Sequence, residues 1–163
     1  MKQPAAWRHR GEGDKTPLHY TDCGLDDVYL VSGYETEHTH YGDGVSIKHL
    51  DQLHKAIGCY LANQKKALSG KELRFLRKHM DLTQSDLGRL IGLSSQQVAR
   101  WEKGESEISG PADTLVRGLY IQHVGGKLDL EKLITTLEEI DSPMIEKAVF
   151  EKTSDGWRFQ KAA

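Results

Sequence analysis

The chain has 163 residues, within the size of one standard domain carrying smaller flanking modules. With 22 Lys plus Arg against 24 Asp plus Glu its formal net charge is −2, so no global basic footprint marks a nucleic-acid partner. No apolar run approaches the roughly 18 residues of a membrane span, and the start of the chain lacks a signal-peptide core. A soluble, cytoplasmic protein is expected, with Cys23 and Cys59 as free thiols because two cysteines make no disulfide framework.

Taken in chain order, residues 1–17, rich in Gly, Lys, Arg and Pro, read as a flexible leader. Residues 18–66 read as an N-terminal β/α module. In it Val28-Tyr29-Leu30-Val31, Gly33-Tyr34 and Tyr41-Gly42-Asp43-Gly44 suggest short antiparallel strands, followed by a helix beginning at Ser46 with Leu50, Leu53, Ile57, Tyr60 and Leu61 on one side. Within this module His19-Tyr20-Thr21-Asp22-Cys23-Gly24 has the shape of half a zinc knuckle, with Tyr20 where a first cysteine would stand. Structural zinc usually takes four thiolate or imidazole ligands. Beside Cys23 the remaining candidates are His19, His38, His40 and Cys59, with only His38-x-His40 in a paired metal-binding spacing, so no metal and no cofactor is expected.

Residues 67–126 carry the most informative pattern. Ser69 can cap a helix over Lys71 to Met80 that places Leu73, Leu76 and Met80 on one side and carries Arg74, Arg77 and Lys78. Thr83 can cap the next, with Gln84 and Asp86 in its first turn and Leu87, Leu90 and Ile91 on one face. Gly92 ends it, Leu93 is expected to be the buried bridge of the turn, and Ser94 caps another helix whose apolar positions are Val98 and Trp101. Gly104 closes that helix. Gly88 and Ala99 are the small residues expected where the two helices cross. Ser95, Gln96, Gln97 and Arg100 remain on the outer side, and these residue types can tell base pairs apart: Gln bonds bidentately to adenine, Arg to guanine, Ser to either.

Leu82-Thr83-Gln84, Leu87, Gly92, Leu93-Ser94, Val98 and Trp101-Glu102-Lys103-Gly104 resemble the XRE-type, or lambda-repressor-like, DNA-binding domain over residues 70–124. The resemblance implies five packed helices, a recognition helix from about Ser95 to Lys103 whose Ser95, Gln96, Gln97 and Arg100 meet bases, and phosphate contacts from Gln84, with Ser94, Arg74 and Lys103 as further candidates. Gly88 stands where alanine is usual, which is expected to loosen its helix by roughly 1 kcal/mol. The knuckle-like segment, with a helix-turn-helix behind it, resembles the MqsA/YgiT class of antitoxins. That kinship implies a relative that has lost its metal and holds its N-terminal module with Val28, Leu30, Tyr34 and Tyr41 instead.

After the motif, Ser109-Gly110-Pro111 starts a helix with Leu115, Val116, Leu119, Tyr120 and Val124, a stripe serving the core alone or a dimer contact as well. Residues 127–163 then give an acidic amphipathic helix over Leu128 to Ile140, ended by Ser142-Pro143. A β-hairpin follows, from Ile145 onward, turning at Asp155-Gly156. Two strands alone are marginal in water, so they are expected to complete the N-terminal sheet or to pair with another subunit. The fold class is therefore α+β: a central five-helix domain flanked by a small antiparallel β module built from N- and C-terminal segments.

Between Lys65 and Gly104 nine basic residues stand against four acidic ones, a local excess suited to phosphates. No Gly-rich phosphate loop, nucleophile elbow or His-Glu-x-x-His motif is present, so catalysis is not expected. The expected function is a sequence-specific repressor binding double-stranded DNA through the major groove, as a homodimer on an inverted repeat. The alternative is an antitoxin that holds a protein toxin and represses its own operon.

Overall fold

The structure is a computed structural model and describes residues 16–65, 67–140 and 147–160. The leader, the Ser142-Pro143 stop and the Ile145 start of the hairpin lie outside these, apart from Thr16 and Pro17. Strands β1 (Leu18–His19) and β2 (Val28–Leu30) open the fold, followed by a hairpin of β3 (Tyr34–Thr39) and β4 (Gly42–Ile47). Six helices come next: α1 (Leu50–Asn63), α2 (Gly70–His79), α3 (Gln84–Ile91), α4 (Ser95–Glu102), α5 (Gly110–His123) and α6 (Leu130–Glu139). Strands β5 (Ala148–Thr153) and β6 (Gly156–Gln160) complete it.

The C-terminal hairpin joins the N-terminal strands in one sheet ordered β1-β2-β5-β6. Its outer pairs are antiparallel, but β2 and β5 run parallel, Val28 opposite Ala148 and Leu30 opposite Phe150. The sheet is therefore mixed, not antiparallel as expected. A parallel pair needs a long crossover, and here the whole helical region supplies it. Ser32 reinforces the seam: its hydroxyl donates to the Lys152 carbonyl at 3.1 Å and accepts from the Lys152 amide at 2.7 Å.

Hairpin β3-β4 forms a separate two-stranded sheet, exposed along nearly its whole length, with Tyr41 open to solvent at its tip. Because β4 runs on to Ile47, Ser46 is a strand residue and not the start of a helix. Helix α1 begins at Leu50 behind His49, whose left-handed φ of 51° turns the chain without a side-chain cap.

Helix α1 is the hinge of the packing. Tyr60 stacks on Phe159 at 4.2 Å and meets Phe150 edge-on, tying α1 to the sheet. Leu53, Ile57 and Leu61 share one continuous core with Leu73 and Leu76 of α2, Val116 and Tyr120 of α5, and Val28, Leu30 and Phe150 of the sheet. Between Gly70 and Val124 the chain forms four helices, α2 to α5, against the five that the resemblance implies. On α5, Val116 and Tyr120 are buried, Leu119 and Val124 partly so, and Leu115 is exposed. On α6, which Asp129 caps and which starts two residues later than the sequence suggests, Leu133 is buried while Leu130 and Ile134 face outward.

Candidate nucleic-acid interface

Helices α2, α3 and α4 each start on a side-chain cap. The Ser69 hydroxyl accepts from the Glu72 amide and Glu72 accepts in return from the Ser69 amide, a capping box. Thr83 and Asp86 form a second one on α3, and Ser94 accepts from the Gln97 amide at 3.2 Å on α4. Caps of this kind contribute about 1 kcal/mol each. They fix where each helix begins, and so which residues each presents.

The α3-α4 turn rests on backbone contact. Gly92 takes the left-handed φ of 74° that other residues avoid, and the Leu93 amide donates to the Gly88 carbonyl at 2.7 Å. A Cβ on Gly88 would lie 2.6 Å from the Leu93 carbonyl oxygen, so a side chain there has to displace the turn. This geometry turns the Leu93 side chain outward: it is 41% exposed, not the buried bridge expected, and Leu90 beside it is 52% exposed. The inner faces are made by Leu87, Val98 and Trp101, all buried.

Beneath these helices lies a polar clamp. Arg77 of α2 donates from Nε and Nη2 to the Glu102 carboxylate of α4, at 2.5 and 3.0 Å, and from Nη1 to the Leu82 carbonyl at 2.8 Å. Gln84 donates to the same carboxylate at 2.9 Å. Burial alone would raise the Glu102 carboxyl; the hydrogen bonds from Arg77 and Gln84, with the Arg77 and Arg74 charges, hold it below the ordinary carboxylate value. The Arg77 guanidinium, one of the nine basic residues of the local excess, is thus an internal strut. Its partner lies 25 positions away, and no local pattern signals the pair.

On the outer side of α4, Gln96 and Arg100 are exposed. Ser95 and Gln97 are half-buried, and the Gln97 amide donates to Ser106 Oγ at 3.3 Å across the loop that follows the helix. Of the phosphate candidates, Arg74 is exposed on α2, Lys103 is exposed at the end of α4 and 4.0 Å from Glu105, and Ser94 is engaged as a cap. Gln84 has its amide on Glu102 and is part of the clamp.

The candidate metal ligands are set apart. Cys23 is part-buried near β1, with its Sγ 3.6 Å from the Tyr20 carbonyl oxygen, and burial pushes its thiol pKa up. His38 and His40 belong to the exposed hairpin, where His38 Nδ1 lies 2.5 Å from Asp43. Among the described residues no group of three or more His, Cys, Asp or Glu could hold a metal ion. Nor is any described helix long and apolar enough to cross a membrane.

Two capped helices joined by a left-handed glycine turn, packed through Leu87, Val98 and Trp101, make this segment a helix-turn-helix, and residues 73–111 match the family model of that description. Among curated proteins, "Antitoxin PezA" of Streptococcus pneumoniae serotype 4 is 42% identical over 40 residues. That similarity covers 24% of this chain and 25% of the relative, so the chain spans about a quarter of its length. No solved structure matches the chain.

Proposed function

We propose that the chain is a sequence-specific, DNA-binding transcriptional regulator, a repressor without catalytic activity that reads an inverted repeat as a dimer. The observation that carries this reading is the two-sidedness of α4. Val98 and Trp101 anchor one side in the core, and Gln96 and Arg100, side chains able to pair bidentately with adenine and guanine, stand free on the other. A two-fold dimer of this motif would meet half-sites about 34 Å apart, one helical turn of the duplex, or a multiple of it.

Selection of bound sequences from random DNA tests it. Gln96→Ala or Arg100→Ala is expected to cost about 1–3 kcal/mol at one base position and to relax preference there. An unchanged preference would remove both residues from base reading. Arg74→Ala is expected instead to weaken all sequences alike and to lower the slope of log affinity against log salt by about 0.9 for each half-site. A changed base preference with the slope intact would overturn the phosphate assignment.

A second reading, an antitoxin that holds a protein toxin and represses its own operon, is favoured by the similarity to a protein named as an antitoxin. It predicts that a small growth-inhibiting protein encoded beside this chain co-purifies with it and that the complex still binds DNA.

A further inference from the structure

Six rings from four parts of the chain meet where α1 and the Tyr20 segment pack on α2 and α5. They are Tyr20 after β1, His54 of α1, Phe75 and His79 of α2, and Tyr120 and His123 of α5. The three imidazoles run in sequence, with centroids 6.3 Å apart from His54 to His79 and 6.4 Å from His79 to His123. The Tyr20 hydroxyl lies 2.9 Å from His54 Nε2, and the Tyr120 hydroxyl 2.8 Å from His79 Nδ1. Phe75 stands edge-on to His54 and stacks on His79. Helix α1 comes so close at Gly58 that a Cβ there would be 2.0 Å from the Tyr120 oxygen.

We propose that this cluster is a proton-operated latch: protonation of His54 and His79 below neutral pH opens the seam that joins α1 and the Tyr20 segment to α2 and α5. Both rings are half-buried and adjacent, so charging them sets like charges against each other in surroundings that poorly solvate either. The acids facing them are Asp51 of α1 and Asp81 after α2, which favour the charged forms. Asp22 and Cys23 lie by Tyr20, and the Lys55 carbonyl and Cys59 by Tyr120. Burial outweighs the acids and lowers both imidazoles below their ordinary value; at His79 the neighbouring His54 and His123 add to it. A lowered folded-state value means the contribution to stability is complete above the unfolded value of about 6.5 and is lost as pH falls through the lowered one.

The test uses the full chain. Its urea midpoint and amide exchange are followed from pH 8 to 5, beside His54→Gln/His79→Asn, which keeps polar atoms near Nε2 and Nδ1 without the titration. Below pH 6.5 the wild-type unfolding constant is expected to rise by up to about tenfold per pH unit for each histidine. The double variant is expected to lack that component. Exchange of α1 amides should rise, relative to intrinsic rates, ahead of those in α3 and α4. Parallel pH profiles of the two proteins, or uniform exchange, would overturn the latch. Should the double variant fail to fold, the imidazole NMR titration of the wild type decides: His54 and His79 titrating below free imidazole support the latch, and values at or above it reject it.

Discussion

Arg117→Met is expected to lower the free energy of unfolding by about 3–5 kcal/mol, the largest single effect we anticipate. The Arg117 side chain is fully buried, and both its Nε and its Nη1 are engaged. Its Nε donates to Asp113 one turn earlier on α5, and Nη1 donates to the carbonyls of Leu61 at 2.7 Å and Lys65 at 2.6 Å. Leu61 lies in the last turn of α1, where the helical carbonyls lack partners and the dipole favours a cation, and Lys65 lies just beyond it. Asp113 in turn accepts from the Leu68 amide at 2.8 Å, so one ion pair caps α1, orders the link to α2 and fixes α5. Methionine fills the space but strands the Asp113 carboxylate and these carbonyls in the interior. Urea unfolding measures the loss; a change under 1 kcal/mol would show the pair to be dispensable. Arg117→Lys, which keeps the charge and loses the fork, should fall between.

Second, Glu102→Ala should cost about 3 kcal/mol, because it leaves the Arg77 guanidinium buried with a single carbonyl acceptor. Glu102→Gln keeps the shape and separates charge from packing. The lowered Glu102 carboxyl implies a contribution that is complete above the unfolded value of about 4.5 and lost as pH falls through the folded one. The glutamine variant should lack that acid-side loss, and equal acid sensitivity in both proteins would refute the ionic role. Since the clamp sets the angle of α4 on α2, affinity for every DNA sequence should drop together.

The helix-turn-helix was legible because its determinants are local. Ser69, Thr83 and Ser94 bond amides three residues on, Gly92 and Gly104 take left-handed turns, and Asp155-Gly156 joins two adjacent strands. What stayed hidden depends on distance along the chain or on the sense of a turn. Nothing near Val28 announces a parallel partner at Ala148, and nothing near Arg77 announces Glu102. Leu93 follows the apolar rhythm of α3, but the left-handed Gly92 breaks the helical phase and sends its side chain outward. The start of α1 at Leu50 is not legible because His49 gives none of the usual capping chemistry.

The parallel seam between β2 and β5 has a consequence for biosynthesis. Ser32 and Lys152, which stitch it, are 120 residues apart. At roughly 5–20 residues per second the ribosome needs roughly 6–24 s to cover that distance. Throughout that interval β2 has only the two-residue β1 beside it and lacks its parallel partner, while the helices between can already settle on their own short-range contacts. The nascent polypeptide therefore gains its helix-turn-helix first and shuts its sheet last, and a message broken before Ala148 leaves β2 permanently without its parallel neighbour.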